Sequence, residues 1–202
     1  MTKTATNAEQ RTMITSNANF RAATDETDGK KYLQGYFIRF NEETNLYGNI
    51  YETISPNAVD DDIADKDVLA LFDHDSAKVL GRTKAGTLTV KKDKEGVFGR
   101  VLINENDPEA LSIYAKVQRG DVRSASFGFF MDPDTQKVES RDDGTLHTVV
   151  TQADVYEISV VTFPAYPTTE ITARKRSLAT LAKGRFDTRK QQLIERIKGG
   201  KH

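Results

Sequence analysis

Cysteine is absent from this 202-residue chain. That excludes disulfides, a Cys nucleophile and thiolate-bound metal together. Histidine is scarce, with His74, His147 and His202 only, so imidazole chemistry has few places to live. No apolar run approaches the ~20 residues of a membrane-spanning helix, and "MTKTATNAEQ" at the start lacks the apolar core of a signal peptide. A cytosolic chain is the expectation. No G-x-S-x-G elbow or P-loop occurs, so elbow-type hydrolases and nucleotide enzymes receive no support.

What is present is ordinary for a soluble domain: 37% hydrophobic and 29% charged residues. The length suffices for one domain with a real core plus appendages. The net charge of -1 hides an asymmetry. From Arg174 onward there are ten Lys/Arg and two Asp/Glu, about +8, and the preceding 19 basic and 28 acidic residues give about -9. A basic tail on an acidic body suggests contact with an acidic partner or nucleic acid, or simply a solvated tail.

Residues 1–20 are polar and aperiodic and are expected as a flexible N-terminal arm. "KKYLQGYFIRF" and "LYGNIYETI" read as strands. In "SPNAVDDDIA", Ser55 can cap a short helix opened by Pro56. "DVLALFDHD" and "KVLGRT" follow, and "GTLTVKKDKEGVFGRVLI" reads as a hairpin. "NDPEALSIYAKVQRGD" predicts the clearest helix, capped by Asp107, opened by Pro108 and closed by Gly120. Strand-like stretches span Val122–Met131 and Thr145–Thr162, and "FPAYP" ends the β region. Beyond it, Leu178, Leu181, Leu193, Ile194 and Ile197 are spaced for a helical apolar stripe. The expected fold is α+β and β-rich: a mixed or antiparallel β-barrel with peripheral helices over residues 21–173, with a basic, partly helical tail over 174–202.

Several residues could carry chemistry. His74 lies in "FDHD", where it is either a base beside carboxylates or a strand-end His between solvated acids. Adjacent strand residues point to opposite faces, so "DHD" makes a poor metal site, and no metal is expected. His147 follows a turn, and His202 is the last residue. Glu157 sits in "VYEISVVTF" where both strand faces look buried. It therefore needs a partner, which could be an Arg such as Arg82 or Arg123, or an imidazole. In "RSASFGFF", Ser124 and Ser126 share a strand face, and either could pack or attack.

Taken in order, "GYFIRFN", "ISPNAVDD", "ALFDHD" with "LGRT" and "GTL", "VQRGDV", "SASFGF" and "YEISVVTFPAYP" resemble the phage prohead maturation proteases. These are serine peptidases related to the herpesvirus assemblins. The resemblance implies His74 as base, Ser126 rather than Ser124 as nucleophile, and Glu157 as the acidic third member. His147 is the alternative third member, in the manner of the assemblins. Ala125 departs from the Met that often precedes the nucleophile. Arg82 is a candidate oxyanion contributor or a structural ion pair. The resemblance further implies an endopeptidase, without cofactor, inside the procapsid in the host cytoplasm. There it would cleave scaffold segments of the major capsid protein and finally itself. Self-association as a dimer comes by analogy with the assemblins only, and neither membrane nor nucleic-acid binding is expected. The rival reading is an inactive capsid- or scaffold-associated protein that keeps the fold.

Overall fold

The computed structural model describes residues 8–15 and 18–163. They form thirteen strands and one α-helix. The strands are β1 (Glu9–Thr15), β2 (Arg21–Thr24), β3 (Lys31–Arg39), β4 (Thr44–Tyr47), β5 (Ile50–Ile54), β6 (Leu69–Phe72) and β7 (Asp75–Arg82). They continue with β8 (Leu88–Lys92), β9 (Gly96–Leu102), β10 (Ser124–Met131), β11 (Gln136–Ser140), β12 (Leu146–Val150) and β13 (Asp154–Val161). Helix α1 spans Pro108–Arg119.

Three sheets result, ordered β1-β10-β13-β6-β7, β11-β12-β5-β4 and β2-β3-β9-β8. Most pairings are antiparallel, but β13 runs parallel to β6 and β12 parallel to β5. The expected β-rich α+β class and mixed sheets are present. The expected closed barrel is not: among the described residues the strands divide into three sheets, each with two free edges. Alternation within a strand gives its faces but not how strands close on one another.

Other expectations shift locally. Residues 9–15, expected in a loose arm, form β1 against β10, because Arg11, Met13 and Thr15 alternate inward. Ser55 caps as expected, accepting from the Asn57 N–H, but the element it caps is a single 3-10 turn. The stretch 145–162 breaks into β12 and β13 around Thr151–Ala153. The hairpin and the main helix form as read. The Asp107 carboxylate accepts from the Glu109 N–H, and Gly120 closes α1 in the left-handed region at φ 86°. The expected helical tail lies outside the described residues.

The main core is an apolar cluster that joins the sheets, and a second, smaller one forms around Leu46 and Ile50. Phe127 and Phe129 of β10 are buried and stack at 5.2 Å, while Phe20 meets Phe37 of β3 edge-on at the same separation. The Phe37 ring and Ile158 of β13 both close on Gly99 of β9, within 3.0 Å of where a Cβ would sit. The sheet carrying β10 and β13 thus packs against the sheet carrying β3 and β9.

Its other attachment is polar. Arg11 of β1 is 5% exposed and Glu52 of β5 is fully buried. The Arg11 Nη2 donates to both Glu52 carboxylate oxygens, at 2.8 and 3.1 Å. Thr148 of β12 adds a hydroxyl donor at 3.1 Å, and the guanidinium lies over the Phe129 ring. A buried pair is worth little against a well-packed apolar pair, but losing one member strands a charge. Arg11→Ala or Glu52→Ala should each cost about 3–5 kcal/mol of unfolding free energy. The double Arg11→Met/Glu52→Leu change should recover most of that loss in urea denaturation.

Candidate active site

The β6–β7 hairpin closes with Phe72 opposite Asp75, so its loop is two residues long: Asp73 and His74. Both have positive φ, 51° and 58°. A two-residue hairpin favours this mirror-image turn, but normally with Asn or Gly, and left-handed non-glycine residues cost about 1–3 kcal/mol each. Hydrogen bonds offset the cost. The Asp73 carboxylate accepts from the Thr162 N–H at 2.7 Å and the Thr162 hydroxyl at 2.8 Å. The Asp73 N–H donates to the Val160 carbonyl, and the His74 N–H to Ser159 Oγ at 3.2 Å. The end of β13 therefore clamps the turn, and the turn aims the imidazole back over the sheet.

Three side chains meet there. His74 Nε2 lies 2.8 Å from Ser126 Oγ, and His74 Nδ1 lies 2.6 Å from Glu157 Oε1. Ser159 donates its hydroxyl to Glu157 Oε2 at 2.7 Å. The carboxylate is 2% exposed and has partners on both oxygens, which is what makes its burial tolerable. With Nδ1–H donated to Glu157, Nε2 is left as the acceptor facing the serine. This fixes the tautomer that a proton-accepting imidazole needs.

Gly128 makes room for the carboxylate. It lies directly across from Glu157 in the β10–β13 pair. A Cβ at this position would come within 2.5 Å of Glu157 Oε1 and 2.6 Å of the Tyr156 ring. A bulge comes immediately after, between Gly128 and Phe129. The glycine of "SFGF" is thus a space-maker for the acid on the next strand.

The remaining candidates lie elsewhere. Ser124, half-buried and opposite Val161, shares the face of Ser126, but the hydroxyl at bonding distance from the imidazole is that of Ser126. His147, on β12, has its Nε2 2.8 Å from Thr53 Oγ1 and 3.5 Å from Glu43. The side chain beside His74 Nδ1 is that of Glu157. Arg82 ends β7, three residue pairs along from the turn, and its Nε and Nη2 donate to the Asp67 carboxylate. That bond raises the Arg82 pKa and holds the Asp67 carboxyl below its ordinary value. Neither Arg82 nor Arg123 partners Glu157, which resolves the open choice in favour of an imidazole. His202 lies outside the described residues.

Sequence reasoning assigned nothing to Ser159, although alternation puts it on the face of Glu157, and "E-x-S" in a strand was the available signal. It also missed Asp73 as the anchor of the turn, and Met13, whose carbonyl oxygen lies 2.9 Å from Ser126 Oγ. Gly128→Ala should cost about 1–3 kcal/mol, as over-packing does, and should shift the His74 ring N–H resonance in proton NMR. Ser124→Ala should leave that resonance in place.

The sequence profile described as caudovirus prohead serine protease matches residues 17–184. Among solved structures, the bacteriophage T4 capsid assembly protease aligns with a TM-score of 0.47 and 12% identity. The alignment covers 76% of this chain and 98% of that one. No curated protein matches the sequence.

Proposed function

The chain belongs to the caudovirus prohead serine proteases, and from that premise we propose that it is the endopeptidase of phage head maturation, with Ser126 as nucleophile, His74 as general base and Glu157 as the acidic member. The observation that carries this reading is the continuous run of contacts from Ser126 Oγ through both imidazole nitrogens to Glu157, at 2.8 and 2.6 Å.

Each step rests on those contacts. Ser126 Oγ attacks a peptide carbonyl while His74 Nε2 takes its proton, giving a tetrahedral intermediate and an imidazolium. Glu157 stabilises the imidazolium through Nδ1–H, and Ser159 and the clamped turn hold acid and base in register. His74 then protonates the departing amine, and water releases the acyl group by the reverse sequence. The oxyanion needs preorganised donors, most often backbone N–H groups. The commitment of Arg82 to Asp67 fits a structural ion pair better than that role.

On this reading the substrates are scaffold segments of the major capsid protein and the protease itself, inside the procapsid. The basic tail from Arg174 is a docking segment for capsid or scaffold, suggested by its +8 charge against a -9 body. The rival reading, an inactive structural relative, has against it the retention of all three groups within bonding reach.

Co-expression with the major capsid protein tests the assignment. Wild type should cleave it, Ser126→Ala should not, and Ser124→Ala and His147→Ala should stay within a few-fold of wild type. Glu157→Gln should keep the fold yet lose at least about 100-fold in turnover, since it disturbs the tautomer and the imidazolium together. Cleavage by Ser126→Ala at the wild-type rate would overturn the nucleophile. Removing residues 174–202 should leave peptide cleavage intact but lower incorporation into procapsids.

A further inference from the structure

Ser126 is 1% exposed, although a nucleophile has to meet a peptide carbonyl. The element beside it is β1, the edge strand of its sheet, antiparallel to β10 with Ile14 opposite Ser126. The other edge of β10 is taken by β13, so the one backbone edge open to a ligand at the nucleophile is the edge that β1 covers.

We propose that β1 is a pseudo-substrate strap: it fills the β10 edge that an extended peptide would occupy, and Ser126 becomes available only once β1 is displaced. The inference rests on reading Ser126 as the nucleophile.

The contacts of β1 are those of an inhibitor. Ser126 Oγ has one proton and two acceptors, the Met13 carbonyl oxygen at 2.9 Å and His74 Nε2 at 2.8 Å. The Met13 carbonyl therefore competes with the base for that proton. Met13 also presents its carbonyl by the oxygen, whereas attack needs the carbon facing Oγ and the oxygen held by other donors. The peptide bond in contact with the nucleophile is therefore held but not cleaved.

The fastening of β1 suits release. Its inward side chains are Arg11, Met13 and Thr15, one apolar residue among three, against Ala125, Phe127, Phe129 and Met131 on the inward face of β10. Elements with few buried apolar contacts open ahead of the rest. Polar contacts add to its ladder with β10, among them Arg11 on Glu52 and Met131, Gln10 on the Tyr156 hydroxyl, and the Thr15 hydroxyl on the Phe37 carbonyl. β1 also lies ahead of the span that matches the family, which begins at residue 17.

Displacement takes the Arg11 guanidinium off the Glu52 carboxylate, which keeps the Thr148 hydroxyl. A peptide adding to β10 in the register of β1 sets its own side chain where Arg11 was, two residues before the one replacing Met13. The ligand class is therefore an extended peptide with a basic residue at that position, recognised by strand addition and by one buried carboxylate.

The absence of cysteine allows a clean test. Gln10 and Phe130 are directly opposite on β1 and β10, both exposed, and such pairs lie within disulfide reach. In the full chain carrying Gln10→Cys and Phe130→Cys, oxidation should slow peptide cleavage and fluorophosphonate labelling of Ser126 at least tenfold, and reduction should restore both. Equal rates in the two forms would overturn the strap. Should the reduced chain and wild type both fail to cleave or label, the assignment of Ser126 fails instead. Hydrogen exchange then decides on the strap: β1 amides exchanging well before those of β10 and β13 support it, and exchange in step with them refutes it. For the ligand, peptides with Arg, citrulline or Ala at the Arg11-equivalent position should bind the intact reduced chain in that order, Arg at least tenfold tighter than Ala. Equal binding of all three would exclude Glu52 as a determinant.

Discussion

A carboxylate placed inside a β-sheet organises this molecule. Glu157 points from β13 into a space that is 98% closed to solvent, and such a charge persists only with partners on its oxygens. Ser159 supplies one partner and His74 the other. The cross-strand position facing it is glycine, and a Cβ there would displace the carboxylate or the Tyr156 ring. The turn that delivers His74 has to sit in the left-handed region, and the residues just past the acid on the same strand hold it there. A few residues of β13, with Thr162 just past its end, thus supply the acid, its support and the clamp on the turn.

A second buried acid uses a different solution. Glu52 is neutralised by an arginine reaching across from another sheet rather than by neighbours on its own strand. The two carboxylates divide the work of polar burial. One is satisfied by a proton-exchanging ring that can change charge during a reaction, the other by a guanidinium that keeps its charge. The first arrangement suits chemistry and the second suits attachment.

Much of this was legible in the sequence because the relevant signals are local. Helix α1 announces itself through Asp107, Pro108 and Gly120, and β13 through Val155, Ile158, Val160 and Val161. Glu157 declared the need for a partner, since a carboxylate among valines and isoleucines has to have one. What stayed hidden depends on distant pairing. Nothing near Met13 says that its carbonyl meets residue 126, and the polar look of residues 1–20 concealed that Arg11 has a buried acid to meet. The two-residue loop at Asp73 lacks the Asn-Gly chemistry that usually reveals such turns, so "FDHD" read as a strand end. Sheet closure was beyond alternation alone, which reports faces and not curvature.

The three groups of the site are far apart along the chain: 52 residues separate His74 from Ser126, and 83 separate it from Glu157. Acid and base are joined by a parallel pairing, β13 with β6, which no short hairpin can make. Ser126, His74 and Glu157 can therefore meet only after the chain is made through β13 and its pairing with β6 is closed. Such contacts form late, because loop-closure entropy has to be overcome first. The wiring of the sheet thus ties the assembly of the three side chains to the completion of its last strand.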